Sequence, residues 1–84
     1  MSVKDFENFK RNLRSKKLTA SLIRLKEFHK FDGTYLRRDF IHPRNVKVNK
    51  NKVTFSIENW VTLKSMDVTV DYKDILYFEF ASVE

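Results

Sequence analysis

Apolar residues at Val3, Phe6, Phe9 and Leu13 recur every three or four positions, which gathers them on one face of a helix. Lys4, Arg11 and Arg14 fall on the other side, and Glu7 precedes Arg11 by the four residues of a helical ion pair. Ser2 followed three residues later by Asp5 resembles a capping box, with Asp in place of the longer Glu. The pattern predicts a helix over residues 3–16. Its apolar stripe must dock on something, because an isolated helix of this length is marginal in water.

The following stretch, KKLTASLIRLKEFHKF, fits two periods. Leu18, Leu22, Leu25 and His29 align on a helix, and helix propensity favours that reading. As a strand, Ser21, Ile23 and Leu25 share one face, with Ala20 and Leu22 on the other. The change of apolar phase after Leu13 argues against one continuous helix, and a strand over 18–28 is the reading adopted.

FDGT at 31–34 is the clearest turn signal, and TYLRRDFI after it reads as a strand broken by HPRN. Val46 and Val48 mirror Val53, Phe55 and Ile57 across an Asn/Lys-rich tip, the pattern of a β-hairpin. Trp60 to Leu63 extends the sheet in this reading, and MDVTVDY alternates cleanly. DILYFEFASV closes the chain as a largely buried strand. The expected architecture is α+β in a single domain over 1–84. An N-terminal helix precedes about five antiparallel strands in a small SH3-like or Sm-like barrel or a strongly twisted sheet.

Eighty-four residues lie near the lower limit for folding without staples, and the chain has no Cys, so disulfides and thiolate metal sites are excluded. Burial must supply the stability, and eight Phe, three Tyr, one Trp and many aliphatics provide for it. No apolar run approaches the roughly 20 residues of a membrane span, and no signal-peptide core follows Met1, so the expectation is a soluble cytoplasmic protein.

The net charge of +6 is unevenly spread. Residues 1–50 carry fourteen Lys or Arg against five Asp or Glu, a balance of +9, whereas residues 51–84 carry three against six, or −3. Opposed poles suit an anionic partner at one end, or head-to-tail self-association into a homo-oligomer. The single Gly and single Pro leave no Gly-rich phosphate cradle. The abundance of Lys, Asn, Phe, Tyr and Ile is compatible with an AT-rich coding sequence, such as that of a low-GC bacterium or its phage.

Catalytic chemistry finds little support. His29 and His42, the only histidines, stand in no metal-ligand spacing, and no Ser lies in a nucleophile elbow. Asp67, Asp71 and Asp74 alternate with Val68, Val70 and Tyr72, as the polar face of a strand and its turn would. The expectation is a non-enzyme with no cofactor and no metal. Binding is the better case: Lys10, Arg11, Arg14, Lys16 and Lys17 cluster where the helix meets the sheet. Arg37, Arg38 and Arg44 form a second group with Tyr35 and Phe40 interleaved as candidate stacking residues. Phosphates take guanidinium and ammonium groups, and bases take aromatic faces. The bland alternative places Tyr35 and Phe40 in the core and leaves the arginines to solubilise an edge strand.

Phe9, Leu13, Arg14, Lys17, Leu18 and Ser21 also form a pattern of helix aromatic, Leu-Arg, basic cluster and Ser-containing strand. Here the chain resembles the Sm-like proteins, in particular the Hfq-type RNA chaperones. Tyr72 and Lys73 resemble the Tyr-Lys before the last strand of that family, although Asp74 stands where its nucleotide-contacting His would be. The likeness covers about a third of the chain and implies a small barrel and an RNA ligand; it is what favours a strand over residues 18–28. The first expected function is therefore a nucleic-acid-binding protein with RNA slightly preferred. The alternative is a protein-binding regulator or inhibitor of phage or mobile-element origin that acts on a host protein. In that case Trp60, Asp67, Asp71 and Asp74 would form the interface.

Overall fold

A computed structural model describes residues 1–31, 35–58 and 63–83. Helix α1 (Val3–Arg14) leads into six strands: β1 (Leu18–Phe31), β2 (Tyr35–Ile41), β3 (Arg44–Asn49), β4 (Lys52–Glu58), β5 (Ser65–Asp71) and β6 (Ile75–Ser82). A single 3₁₀ turn, Tyr72–Asp74, joins β5 to β6. The strands form two antiparallel three-stranded sheets, ordered β2-β1-β6 and β3-β4-β5. The α+β class and the N-terminal helix agree with the sequence. The sheets do not close into a barrel, one of the two expected forms, and the described residues hold six strands where about five were expected.

The helix begins as its sequence predicts. The Ser2 Oγ accepts a hydrogen bond from the Asp5 N–H at 3.1 Å, satisfying one of the donors orphaned at a helix start. It ends two residues earlier than expected, at Arg14, because Ser15 turns to an extended conformation and its N–H donates to the Asn12 carbonyl at 3.1 Å. Phe6 and Phe9 are buried and Leu13 half-buried, but Val3 is 64% exposed and leaves the stripe. Glu7 pairs with Lys10, at 2.8 Å, instead of Arg11. Arg11 reaches back to Asn8.

Residues 18–31 form one long strand, which decides between the two periods in favour of the strand. Its alternation is broken twice. Ala20 pairs with Phe80 and Leu22 with Glu79, so Ser21 is an extra residue, a β-bulge that lets Ala20 and Ile23 both face the core. The simple alternation had placed Ala20 beside Leu22. Further on, Arg24 pairs with Asp39 and His29 with Arg37, leaving Leu25 to Phe28 opposite Arg38 alone.

The chain leaves the first sheet at His42, whose N–H donates to the Ser21 carbonyl at 2.9 Å and whose φ is 51°. Buried Pro43 then redirects it into β3. The β3–β4 hairpin forms as expected, through a tight turn at Lys50 and Asn51 between the paired Asn49 and Lys52. Trp60 and its neighbours from 59 through 62 lie outside the described residues, as do residues 32–34 of the turn expected at 31–34. Leu63 belongs to no strand.

One apolar core joins both sheets and the helix. Ile23, Leu25, Phe40 and Ile75 come from the first sheet, and Val53, Phe55, Ile57, Val68 and Val70 from the second. The Phe40 and Phe55 rings meet edge to face at 5.1 Å, bridging the sheets. From the helix, Phe6 stacks on Tyr72 at 4.3 Å, and Phe9 meets Phe78 and Phe80 edge to face at 5.2 and 5.5 Å. Each fully buried large side chain contributes about 1.5–3 kcal/mol relative to an exposed one. The final strand is not largely buried, contrary to expectation. It is a sheet edge whose Ile75 is buried and whose Phe78 and Phe80 half-bury against the helix, while Leu76 and Tyr77 are exposed.

Candidate anion-binding groove

Docking of α1 sets its last two turns beside β3. Between them lies a groove of about 670 Å³ lined by Lys10, Leu13, Arg14, Val46, Lys47, Val48 and Lys50. Leu13, Val46 and Val48 pack against the core and form an apolar floor, and every charged residue in the lining is a cation. A second depression of about 420 Å³ lies across Leu13 and Val46 and reaches Pro43 and Arg44. Arg44 also lines a third, of about 440 Å³, with Arg37, Ile41, His42, Ile57 and Glu58. The cations thus form a track from the tip of the β3–β4 hairpin toward the start of β3.

The groups along this track are held to different degrees. The Lys10 ammonium lies 2.8 Å from Glu7 and 4.7 Å from the centre of the Phe6 ring. That lysine, through its hydrogen bond first and its charge second, holds the Glu7 carboxyl below its ordinary range. Arg14 Nε donates to the Lys10 carbonyl at 3.3 Å, and Arg44 Nη2 donates to Ser65 Oγ at 3.1 Å. Lys47 and Lys50 are exposed and make no ion pair among the described residues. Lys50 occupies its turn at φ 55°, and Asn45, in a bulge of β3 opposite Phe55, adopts φ 53°. Left-handed backbone at non-glycine residues is uncommon and strains the chain where it occurs.

The expected basic residues separate on this surface. Lys10 and Arg14 line the groove; Arg11, Lys16 and Lys17 are exposed but do not. Arg37 and Arg44 share a depression, whereas Arg38 leaves them, its guanidinium lying 5.4 Å from the centre of the Phe28 ring. Arg37 instead lies 5.2 Å from the centre of the Phe40 ring and donates to the Asp39 carbonyl at 3.2 Å. Phe40 is fully buried and presents no face to a base, so of its two sequence readings the core one holds. The Tyr35 side chain and Trp60 lie outside what is described. Lys47 and Lys50, which the sequence presented only as a polar hairpin tip, are the additions; their signal was a pair of lysines flanking the apolar Val48.

Of the three expected acidic residues, Asp67 and Asp71 are occupied locally, and Asp74 is exposed at the end of the 3₁₀ turn. Asp67 accepts from Ser56 Oγ at 2.7 Å, and Asp71 caps the 3₁₀ turn and lies 3.8 Å from Lys52. Elsewhere, Arg24 grips Asp39 through two hydrogen bonds of 2.8 and 3.1 Å. Its hydrogen bond, more than its charge, keeps the Asp39 carboxyl below the ordinary value. Among the described residues no three His, Asp or Glu gather as metal ligands, and no helix is long and apolar enough to cross a membrane. Set against known proteins, the chain matches no family model, no curated protein and no solved structure.

Proposed function

We propose that the protein binds nucleic acid without catalysing a reaction, holding phosphates along the groove between α1 and β3. The observation that carries this reading is the convergence of Lys10, Arg14, Lys47 and Lys50, from elements far apart in sequence, on a groove with no carboxylate in its lining. Ammonium and guanidinium groups beside an apolar floor suit a phosphodiester strand, whose charge needs neutralising and whose sugars and bases offer apolar edges. Arg44 and Arg37 would prolong the contact. RNA is preferred over DNA in this reading through the Sm-like pattern at Phe9, Leu13, Arg14, Lys17, Leu18 and Ser21 alone.

Polarisation titration of short fluorescent oligonucleotides at two salt concentrations tests it. Four neutralised phosphates on a single strand give a log–log salt slope of about −2.8, or about fifty-fold weaker binding on a four-fold rise in salt. Replacing Lys47 and Lys50 together with Ala should halve that slope. Absence of saturable binding at the lower salt, or a double variant with the wild-type slope, would refute the reading and turn the search toward protein partners.

A further inference from the structure

The long strand β1 pairs with β6 only as far as Leu25; beyond it, His29 to Phe31 pair with β2 alone, so the two strands continue as a ribbon past the three-stranded sheet. At the base of this ribbon β1 sets four residues, Leu25 to Phe28, against the single Arg38. Leu25 turns into the core, while Lys26, Glu27 and Phe28 are all exposed. A β-bulge re-aims the side chains it carries, and this one turns an aromatic outward. Phe28 is 62% exposed even though the Arg38 guanidinium lies 5.4 Å from its ring centre.

Resting on the nucleic-acid reading above, we propose that Phe28 and Arg38 form a stacking platform for an unpaired nucleobase, so that the ligand is a single strand. A base has a π-face that stacks on an aromatic ring or a guanidinium plane, whereas a duplex keeps its bases stacked on one another. The charge around the platform is complementary to the strand. Arg38 lies against the ring and exposed Lys26 and Lys30 flank Phe28 along β1, against the carboxylates of Glu27 beside it and of Asp39, which Arg24 already neutralises. The platform supplies what buried Phe40 cannot, an aromatic surface beside arginine that faces solvent.

The test compares wild type, Phe28→Ala and Phe28→Trp by polarisation on an unstructured single strand and on a duplex of the same length. Loss of one stacked base predicts about 5- to 150-fold weaker single-strand binding for F28A. Its salt slope and its duplex affinity should not change, and F28W should bind as wild type or tighter. Circular dichroism confirms that each variant is folded. If the wild type binds no oligonucleotide, the groove reading itself fails and the platform with it. If the wild type binds with the expected salt slope while F28A equals it on single strands, only the platform is refuted. An F28A variant that alters sedimentation of the free protein but not its affinity also overturns the proposal, assigning Phe28 to contact with a second copy. So does an F28W variant that loses as much affinity as F28A.

Discussion

Replacing Lys50 with Gly should make the protein more stable and a weaker binder at once. Lys50 holds φ 55° in the two-residue turn of the β3–β4 hairpin, and its side chain lines the cationic groove. A left-handed backbone costs a residue bearing a Cβ about 1–2 kcal/mol. Glycine removes that cost, while its greater freedom in the unfolded chain offsets about 0.5–1 kcal/mol of the gain. The net is about 0.5–1 kcal/mol of added stability, which in a domain of this size raises Tm by about 2–8 °C. Binding moves the other way: with three cations in the groove instead of four, the single-strand salt slope falls from about −2.8 to about −2.1. Denaturant melts at fixed temperature and a salt series of polarisation titrations read the two effects separately. A less stable K50G variant would refute the strain argument. A more stable variant with unchanged affinity and slope would refute the place of Lys50 in the site.

Other substitutions probe the remaining parts of the account. Phe40→Ala should cost about 3–5 kcal/mol of unfolding free energy, as a core truncation does; a mild loss on chemical denaturation would return Phe40 to the surface. Phe9→Ala should be as damaging by the same measurement, because Phe9 is fully buried and meets both Phe78 and Phe80. The Arg24–Asp39 pair sets an acid dependence. Because the folded Asp39 carboxyl lies below its ordinary value of 3.8, its stabilisation is present above that value and is lost as pH falls through the lower folded value. The stability difference between wild type and Asp39→Asn should therefore shrink as acid denaturation proceeds, and a difference that grows on acidification would contradict the pairing.

What the sequence made legible depended on how regular each element is. The helix and the β3–β4 hairpin declare themselves, since their apolar periods run unbroken and Ser2 caps the first. β1 was ambiguous because Ser21 and the Lys26–Phe28 segment interrupt its alternation, and a strand with two bulges reads locally like a helix. The last strand looked buried because it is rich in aromatics; in the fold only Ile75, Phe78 and Phe80 turn toward the core and the helix. The basic N-terminal half was visible from charge, but the groove was not. Lys47 and Lys50 become its second wall only when α1 docks across from β3, which brings segments more than thirty residues apart to one groove. Arg37 and Arg38 appeared to be one patch because they are adjacent, yet their guanidiniums lie over different rings, Phe40 and Phe28.

The central claim, that the groove between α1 and β3 holds a nucleic-acid strand, is tested most directly by mapping the contact residue by residue. Amide spectra of the isotope-labelled protein, recorded while a short single-stranded RNA is added, would provide that map. The account predicts progressive shifts at Lys10, Leu13 and Arg14 and from Val46 through Lys50, weakening as salt rises, with β5 at Asp67 and Thr69, one strand further from β3, undisturbed. Shifts confined to Asp67, Asp71 and Asp74, or a spectrum that does not change, would contradict it.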